Sequence, residues 1–265
     1  MPNESGIHIS ENAEALARFA AEQFVRLASE AQRERGLFTV ALAGGSTPKT
    51  LYVLLASEQA PYRAQLDFAT IHFFWGDERH VPPDHPDSNY GSATEAMLSK
   101  LPVPLENVHR INSEIADPEE AARDYEQVLE RFFGLEKGQL PRFDLVLLGI
   151  GSDGHTASIF PASDVINEKR RLVAAPWIEK LRSYRITLTP AVLNNAAWTI
   201  ILVSGAEKAK VLNEVLEGEY RPEYLPVQVI RPTDGRLLWL ADREAAQLLK
   251  KSSGKDDDQT SPVNS

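Results

Sequence analysis

Three short stretches of this chain place groups that could do chemistry directly after runs of apolar residues. The first is Gly44-Gly45-Ser46-Thr47-Pro48. Two glycines let backbone N–H groups approach an anion, and two hydroxyls can donate. A helix starting here, with Pro48 in its first turn, would aim the positive end of its dipole at the same point. A phosphate monoester suits these residues, and so does a plain helix cap. A nucleotide P-loop is excluded, because no Gly-Lys-Ser/Thr follows at the required spacing. The second stretch is Gly76-Asp77-Glu78-Arg79-His80, where three charged residues interrupt the run Phe73-Phe74-Trp75. That abrupt change reads as the rim of a pocket rather than a solvated loop. His80, Asp84, His85 and Asp87 lie close together, but Pro82, Pro83 and Pro86 stiffen the segment and no metal-ligand spacing occurs. No metal site is expected there.

The third stretch, Gly149 to Thr156, reads G-I-G-S-D-G-H-T. It contains a G-x-G-x-x-G match, which would suggest a dinucleotide only if it opened a helix in a first β-α-β unit. It stands in mid-chain instead, and its last glycine is followed by His155. Imidazole, with an ordinary pKa of ~6.5, suits proton transfer near neutrality. A histidine among glycines has more use beside a ligand than in a core, so His155 is read as catalytic. There is no G-x-S-x-G elbow and no cysteine anywhere in the chain. A water molecule activated by a general base is therefore favoured over an acyl-enzyme.

The elements that must position these residues alternate. Apolar residues at helical spacing predict helices over Glu11–Arg35, Thr47–Leu55, Asp117–Phe133, Glu207–Leu216 and Arg243–Lys250. Continuous apolar runs predict strands at Phe38–Ala43, Ile71–Trp75, Phe143–Ile150, Tyr184–Leu188, Thr199–Val203, Val227–Ile230 and Leu237–Leu240. Strands that are apolar throughout and separated by helices imply an α/β fold, with a mainly parallel sheet covered on both faces. In such a sheet, ligands bind beyond the carboxyl ends of the strands, where all three stretches would lie. No repeat or linker divides the chain, so residues 1–249 are expected to form one domain and 250–265 a disordered polar tail.

The formal charge of −10 over 265 residues argues against nucleic acid, which needs a basic footprint. No apolar run approaches the ~20 residues of a membrane span, and the N-terminus does not read as a secretory signal. The expectation is a cytoplasmic protein without membrane or nucleic-acid partners.

Taken together, ALAGGSTPKTLY (41–52), WGDERHVPPDHPDSNYG (75–91), FDLVLLGIGSDGHTASIFP (143–161), RITLTPAVLNNA (185–196) and SGAEKA (204–209) resemble the 6-phosphogluconolactonases. Those enzymes belong to a wider family that includes glucosamine-6-phosphate deaminase. The resemblance implies a Rossmann-like three-layer α/β/α domain acting on a six-carbon sugar phosphate, without metal or organic cofactor. It further implies hydrolysis of 6-phospho-D-glucono-1,5-lactone to 6-phosphogluconate in the oxidative pentose phosphate pathway; the oligomeric state is not given by the sequence, and a monomer is the working expectation. Carried residue by residue, the catalytic histidine falls on His155 and its neighbouring acid on Asp153, with Asp77 and Arg79 from the second stretch. The phosphate pocket falls on Gly44, Gly45, Ser46 and Thr47, closed by Arg185 and Lys208. Asp77 and Asp153 are both open as the acid that orients His155, and Arg79 or backbone N–H groups as donors to the oxyanion.

Two other readings of the resemblance are a deaminase/isomerase acting on glucosamine 6-phosphate and a non-catalytic sugar-phosphate sensor. The deaminases carry Glu where this chain has Phe160, and Asp-Glu-Tyr where it has Asp77-Glu78-Arg79. A sensor would be expected to add a DNA-binding helix-turn-helix, for which the acidic N-terminal segment leaves little room.

Overall fold

The computed structural model describes residues 6–250. Met1–Ser5 lie outside the described residues, as does all but Lys250 of the tail expected to be disordered. The strands are β1 (Gly6–Ser10), β2 (Phe38–Leu42), β3 (Ile71–Trp75), β4 (Asp77–Arg79), β5 (Leu145–Gly149), β6 (Val173–Ala174), β7 (Trp177–Ile178), β8 (Ser183–Leu188), β9 (Trp198–Val203) and β10 (Arg236–Asp242). The helices are α1 (Ala13–Arg35), α2 (Ser46–Ala56), α3 (Asn89–Ala96), α4 (Pro118–Phe133), α5 (Pro190–Leu193) and α6 (Ala209–Glu217).

Six strands form one parallel sheet in the order β1-β10-β9-β5-β2-β3. Every residue of β2 is buried, as are the first four of β5 and the last five of β9. Successive side chains point to opposite faces, so both faces of these central strands are covered. That is why the strands are apolar at every position rather than at alternate ones. The covering helices show the expected end signals. Asn12 accepts a hydrogen bond from the Ala15 N–H at the start of α1, and Gly36 ends it in the left-handed region (φ 79°). Pro118 follows the Asp117 cap of α4, and Gly134 closes that helix (φ 60°).

A second, smaller sheet stands beside the first: β4 pairs with β8, and β8 with β6 and β7, all antiparallel. Several expectations are corrected here. Tyr184–Leu188 belongs to this small sheet rather than the parallel one, and Asp77–Arg79, expected as a pocket rim, forms a short strand of it. Val227–Ile230 is not a strand: Pro226–Val229 form a 3-10 turn. The Val227 N–H donates to Gly154 O instead of a ladder partner, and the Gln228 side chain turns inward to bond Val215 O and Glu219 O. Arg243–Lys250 is a series of turns rather than a helix, started by Asp242, which accepts from the Ala245 N–H. Strand β1 and helix α3 were not foreseen; β1 is short and half exposed, and α3 carries too few large apolar residues to show a helical period.

Candidate active site

Strands β2 and β3 stop where the first two stretches begin, and a buried tyrosine closes each end. The Tyr52 hydroxyl accepts from the Ala43 N–H (2.9 Å) and donates to Ala43 O (2.7 Å). The Tyr125 hydroxyl does the same at Trp75, at 2.9 and 3.1 Å. Burial pushes both phenols well above their usual range. Backbone groups left unpaired at such a strand end would cost ~1–3 kcal/mol each. The tyrosines remove that cost and leave the following residues free to leave the sheet.

After Ala43 the chain opens into a cavity of about 230 Å³ lined by Gly44, Gly45, Ser46, Thr47, Asp77, Arg79, Asn89, His155 and Lys208, among others. Gly45 stands at φ 101°, a backbone that favours glycine, and no side chain caps the N-terminus of α2. Gly44 is required on different grounds: a Cβ there would lie 1.9 Å from Asn89 Oδ1. The side chains of Ser46, Thr47 and Lys208 make no hydrogen bond or ion pair among the described residues. This part of the cavity therefore offers two hydroxyls, a cation and uncapped N–H groups with their donors unspent.

The opposite part is held from behind. Glu78 is 1% exposed and accepts from the Arg79, Asn89 and Tyr90 N–H groups at 2.8, 2.7 and 2.8 Å and from Ser88 Oγ at 3.1 Å. It thereby pins the start of α3 to β4; burial raises its pKa, and the three backbone hydrogen bonds oppose that rise. Its neighbour Asp77 points to the other face of the strand, into the cavity lining. Ser158 Oγ donates to Asp77 Oδ2 (2.6 Å) and Asn89 Nδ2 to Asp77 Oδ1 (3.2 Å).

His155 lies on a loop closed on itself. The Gly151 N–H donates to His155 O (2.8 Å) and the Gly154 N–H to Gly151 O (2.9 Å). No helix begins after Gly154, so the G-x-G-x-x-G match lacks the geometry of a dinucleotide site. Gly154 has φ 78°, and a Cβ there would meet Leu225 at 2.8 Å. His155 Nδ1 lies 2.5 Å from Asp153 Oδ1, while Lys180 Nζ donates to Asp153 Oδ2 (3.3 Å). The His155 hydrogen bond, foremost, drops the Asp153 carboxyl well below the usual carboxylate range. An ionised carboxylate only accepts, so the proton on His155 is at Nδ1. In the neutral imidazole Nε2 then carries the lone pair, and it has no partner among the described residues.

Of the residues expected from the sequence, Gly44, Gly45, Ser46, Thr47, Asp77, Arg79, His155 and Lys208 line this one cavity. Asp153 stands behind His155. Arg185 is outside the lining: it faces Arg79 across the β4–β8 ladder and donates to Ser183 Oγ and Tyr184 O, both at 3.1 Å. Burial first, and the Arg79 charge second, push its pKa down. Asn89, Glu78 and Ser158 were not singled out from the sequence. Only the Ser88-Asn89 cap pattern ahead of α3 could have pointed to the first.

Residues 11–239 match the family model of glucosamine-6-phosphate isomerases/6-phosphogluconolactonase. The chain belongs to this family. It is 42% identical over 222 residues to a 6-phosphogluconolactonase of Synechocystis sp., covering 84% of this chain and 89% of that one. It is 39% identical over 241 residues to the chloroplastic 6-phosphogluconolactonase 3 of Arabidopsis thaliana, covering 88% and 71%. Among solved structures, the 6-phosphogluconolactonase of Trypanosoma brucei superposes with a TM-score of 0.81 at 31% identity, over 94% of this chain and all of that one (100%). All the cavity residues named above fall inside the segment matched by the family model.

Proposed function

We propose that this protein hydrolyses 6-phospho-D-glucono-1,5-lactone to 6-phosphogluconate, with His155 as general base toward water. The observation that carries this reading is one cavity with two unlike parts. Unspent anion donors (Ser46, Thr47, Lys208) lie on one side, and a histidine with a free Nε2 lies on the other. Phosphate held by the first part would set the distance at which the lactone C1 meets the second. Charged hydrogen bonds of this kind contribute roughly 1.5–3 kcal/mol each.

In the proposed reaction, Nε2 takes a proton from water as the water oxygen bonds to C1. The carbonyl oxygen becomes an oxyanion, for which Arg79, next to Asp77 in the lining and apart from the phosphate-binding Lys208, is the assigned cation. The C1–ring oxygen bond then breaks, and the ring oxygen takes the proton back from Nε2. Asp153, ionised and bonded to Nδ1, steadies the imidazole and the charge it carries between these steps. Asp77 is assigned to the substrate side of the cavity rather than to orienting His155, since its oxygens are bonded to Ser158 and Asn89. Arg185 is assigned to backing Arg79 with positive charge. A deaminase has less support, because Phe160, at the position of the deaminase glutamate, has no proton to give.

No described helix is long and apolar enough to cross a membrane. The further reading is of a cytoplasmic monomer, with residues 1–249 as one catalytic unit and no cofactor.

The test is to generate the lactone in situ and follow acid release in the presence of a chelator, with wild-type protein and His155→Ala. Opening by wild type should be insensitive to chelator, and the variant should lose about 10²–10⁴-fold in kcat while still binding 6-phosphogluconate. Wild-type protein no faster than the spontaneous reaction would overturn the activity; an undiminished variant would overturn the role of His155.

A further inference from the structure

Asp153 holds His155 at one ring nitrogen only. A hydrogen bond at Nδ1 tolerates tilting of the ring out of line, and such a tilt swings Nε2 across the cavity. The remaining restraint comes from Phe160. Its ring stacks on the imidazole with centroids 4.2 Å apart and planes 17° from parallel.

The chain goes to some length to make this contact. Between the two residues Ala157 adopts φ 47°, and just beyond them Ala162 adopts φ 60°, both left-handed conformations that alanine rarely takes. The Ile159 N–H donates to Thr156 O (2.9 Å), the Ser163 N–H to Phe160 O (3.1 Å) and the Ala162 N–H to Glu223 O (3.0 Å). These bonds hold the reversal that returns residue 160 over residue 155. On the near side, Gly151 leaves room for the imidazole: a Cβ there would lie 2.0 Å from His155 Nδ1 and 2.2 Å from Cε1. Strained backbone persists only where its surroundings over-determine it.

We propose that Phe160 is a positioning residue for the lactonase reaction, its flat ring fixing the tilt of His155 so that Nε2 meets the water attacking C1. This rests on the reading of the site given above. Phe160 is not among the residues that line the cavity, so its effect belongs in kcat rather than in KM. A flat ring is required, not merely apolar volume; Tyr can replace it and Leu cannot.

Three variants, Phe160→Tyr, Phe160→Leu and Phe160→Ala, separate these possibilities when kcat and KM for the lactone are measured beside wild type. Phe160→Tyr should retain wild-type kcat. Phe160→Leu and Phe160→Ala should each lose on the order of tenfold in kcat, with KM within about twofold, as expected for a displaced reacting group. The His155 Cε1–H proton resonance gives a readout independent of turnover. Ring current from Phe160 should shift it in wild type and Phe160→Tyr, and the shift should vanish in Phe160→Leu. Full kcat in Phe160→Leu, or a rise in KM alone, would overturn the positioning role while leaving the lactonase reading intact. Wild-type protein without lactonase activity would overturn both.

Discussion

The two parts of the cavity are built in opposite ways. On the anion side, the side chains of Ser46, Thr47 and Lys208 have no partners among the described residues, and no side chain caps the N-terminus of α2. On the proton-transfer side nearly every polar atom is engaged: Glu78 by four donors, Asp77 by Ser158 and Asn89, Asp153 by His155 and Lys180. The difference follows from the tasks. A binding site gains affinity only from donors that are not already spent within the protein. A proton acceptor must instead present one lone pair at a fixed place, and fixing it takes a shell of hydrogen bonds behind it.

If this contrast is right, damage to the two parts should show in different measurements. After His155→Ala itself, the largest effect is expected from Asp153→Asn, which removes the ionised acceptor at His155 Nδ1 and lets the amide donate there instead. A loss of about 10²-fold in kcat with little change in KM is expected from steady-state kinetics. A change confined to KM would place Asp153 on the binding side and break the contrast. Next comes Glu78→Gln, whose NH₂ group would confront backbone N–H donors that the carboxylate now accepts. Denaturant unfolding should show a loss of about 1–3 kcal/mol for each donor left unsatisfied. Unchanged stability would mean that the α3 end does not depend on this clamp. Smaller in scope is Lys208→Ala, expected to raise KM and weaken 6-phosphogluconate binding by about tenfold or more, with kcat and unfolding midpoint close to wild type. Calorimetry with the product distinguishes this from a variant that loses kcat.

The same contrast decides what could be read from the sequence. The anion side is local: Gly44 to Thr47 are consecutive, and their glycines and hydroxyls show their use without reference to the rest of the chain. His155 was legible for the same reason, set among its own glycines. The engaged shell is not local. Glu78 acts on residues 79 and 88–90, Ser158 on Asp77, Tyr52 on Ala43 and Tyr125 on Trp75, 50 positions away. Long-range partners of this kind carry no spacing signal. The choice between Asp77 and Asp153 at His155 needed coordinates too, because both stand beside chemistry-bearing residues. In the fold, the buried parallel strands were legible from continuous apolar runs. The 3-10 turn at Pro226–Val229 was not, since the Val227 N–H bonds to Gly154 O in the loop that carries His155 rather than to a ladder partner.

Acid sensitivity offers the last way to sharpen the contrast, because it need not arise in the cavity at all. His72 and His109 lie in the scaffold, with Nδ1 of one 3.1 Å from Nε2 of the other, packed among Phe74 and Phe132. Burial, and secondarily the charge of His72, pull the His109 pKa down to about 4; burial also lowers that of His72. An unfolded histidine titrates near ~6.5. Between these values the unfolded chain binds more protons than the folded one, so stability is full above pH ~6.5 and falls as the pH drops toward 4. His109→Asn should lessen the difference in unfolding free energy between pH 7 and pH 5 by on the order of 1 kcal/mol. Asp153, with its carboxyl depressed in the folded chain, keeps its contribution above the ordinary Asp value of ~3.9 and loses it below, so it adds little to the difference between pH 7 and pH 5. A variant with the full wild-type pH dependence of stability would clear His109 of the acid limb and leave His72, also lowered by burial, as the next group to replace.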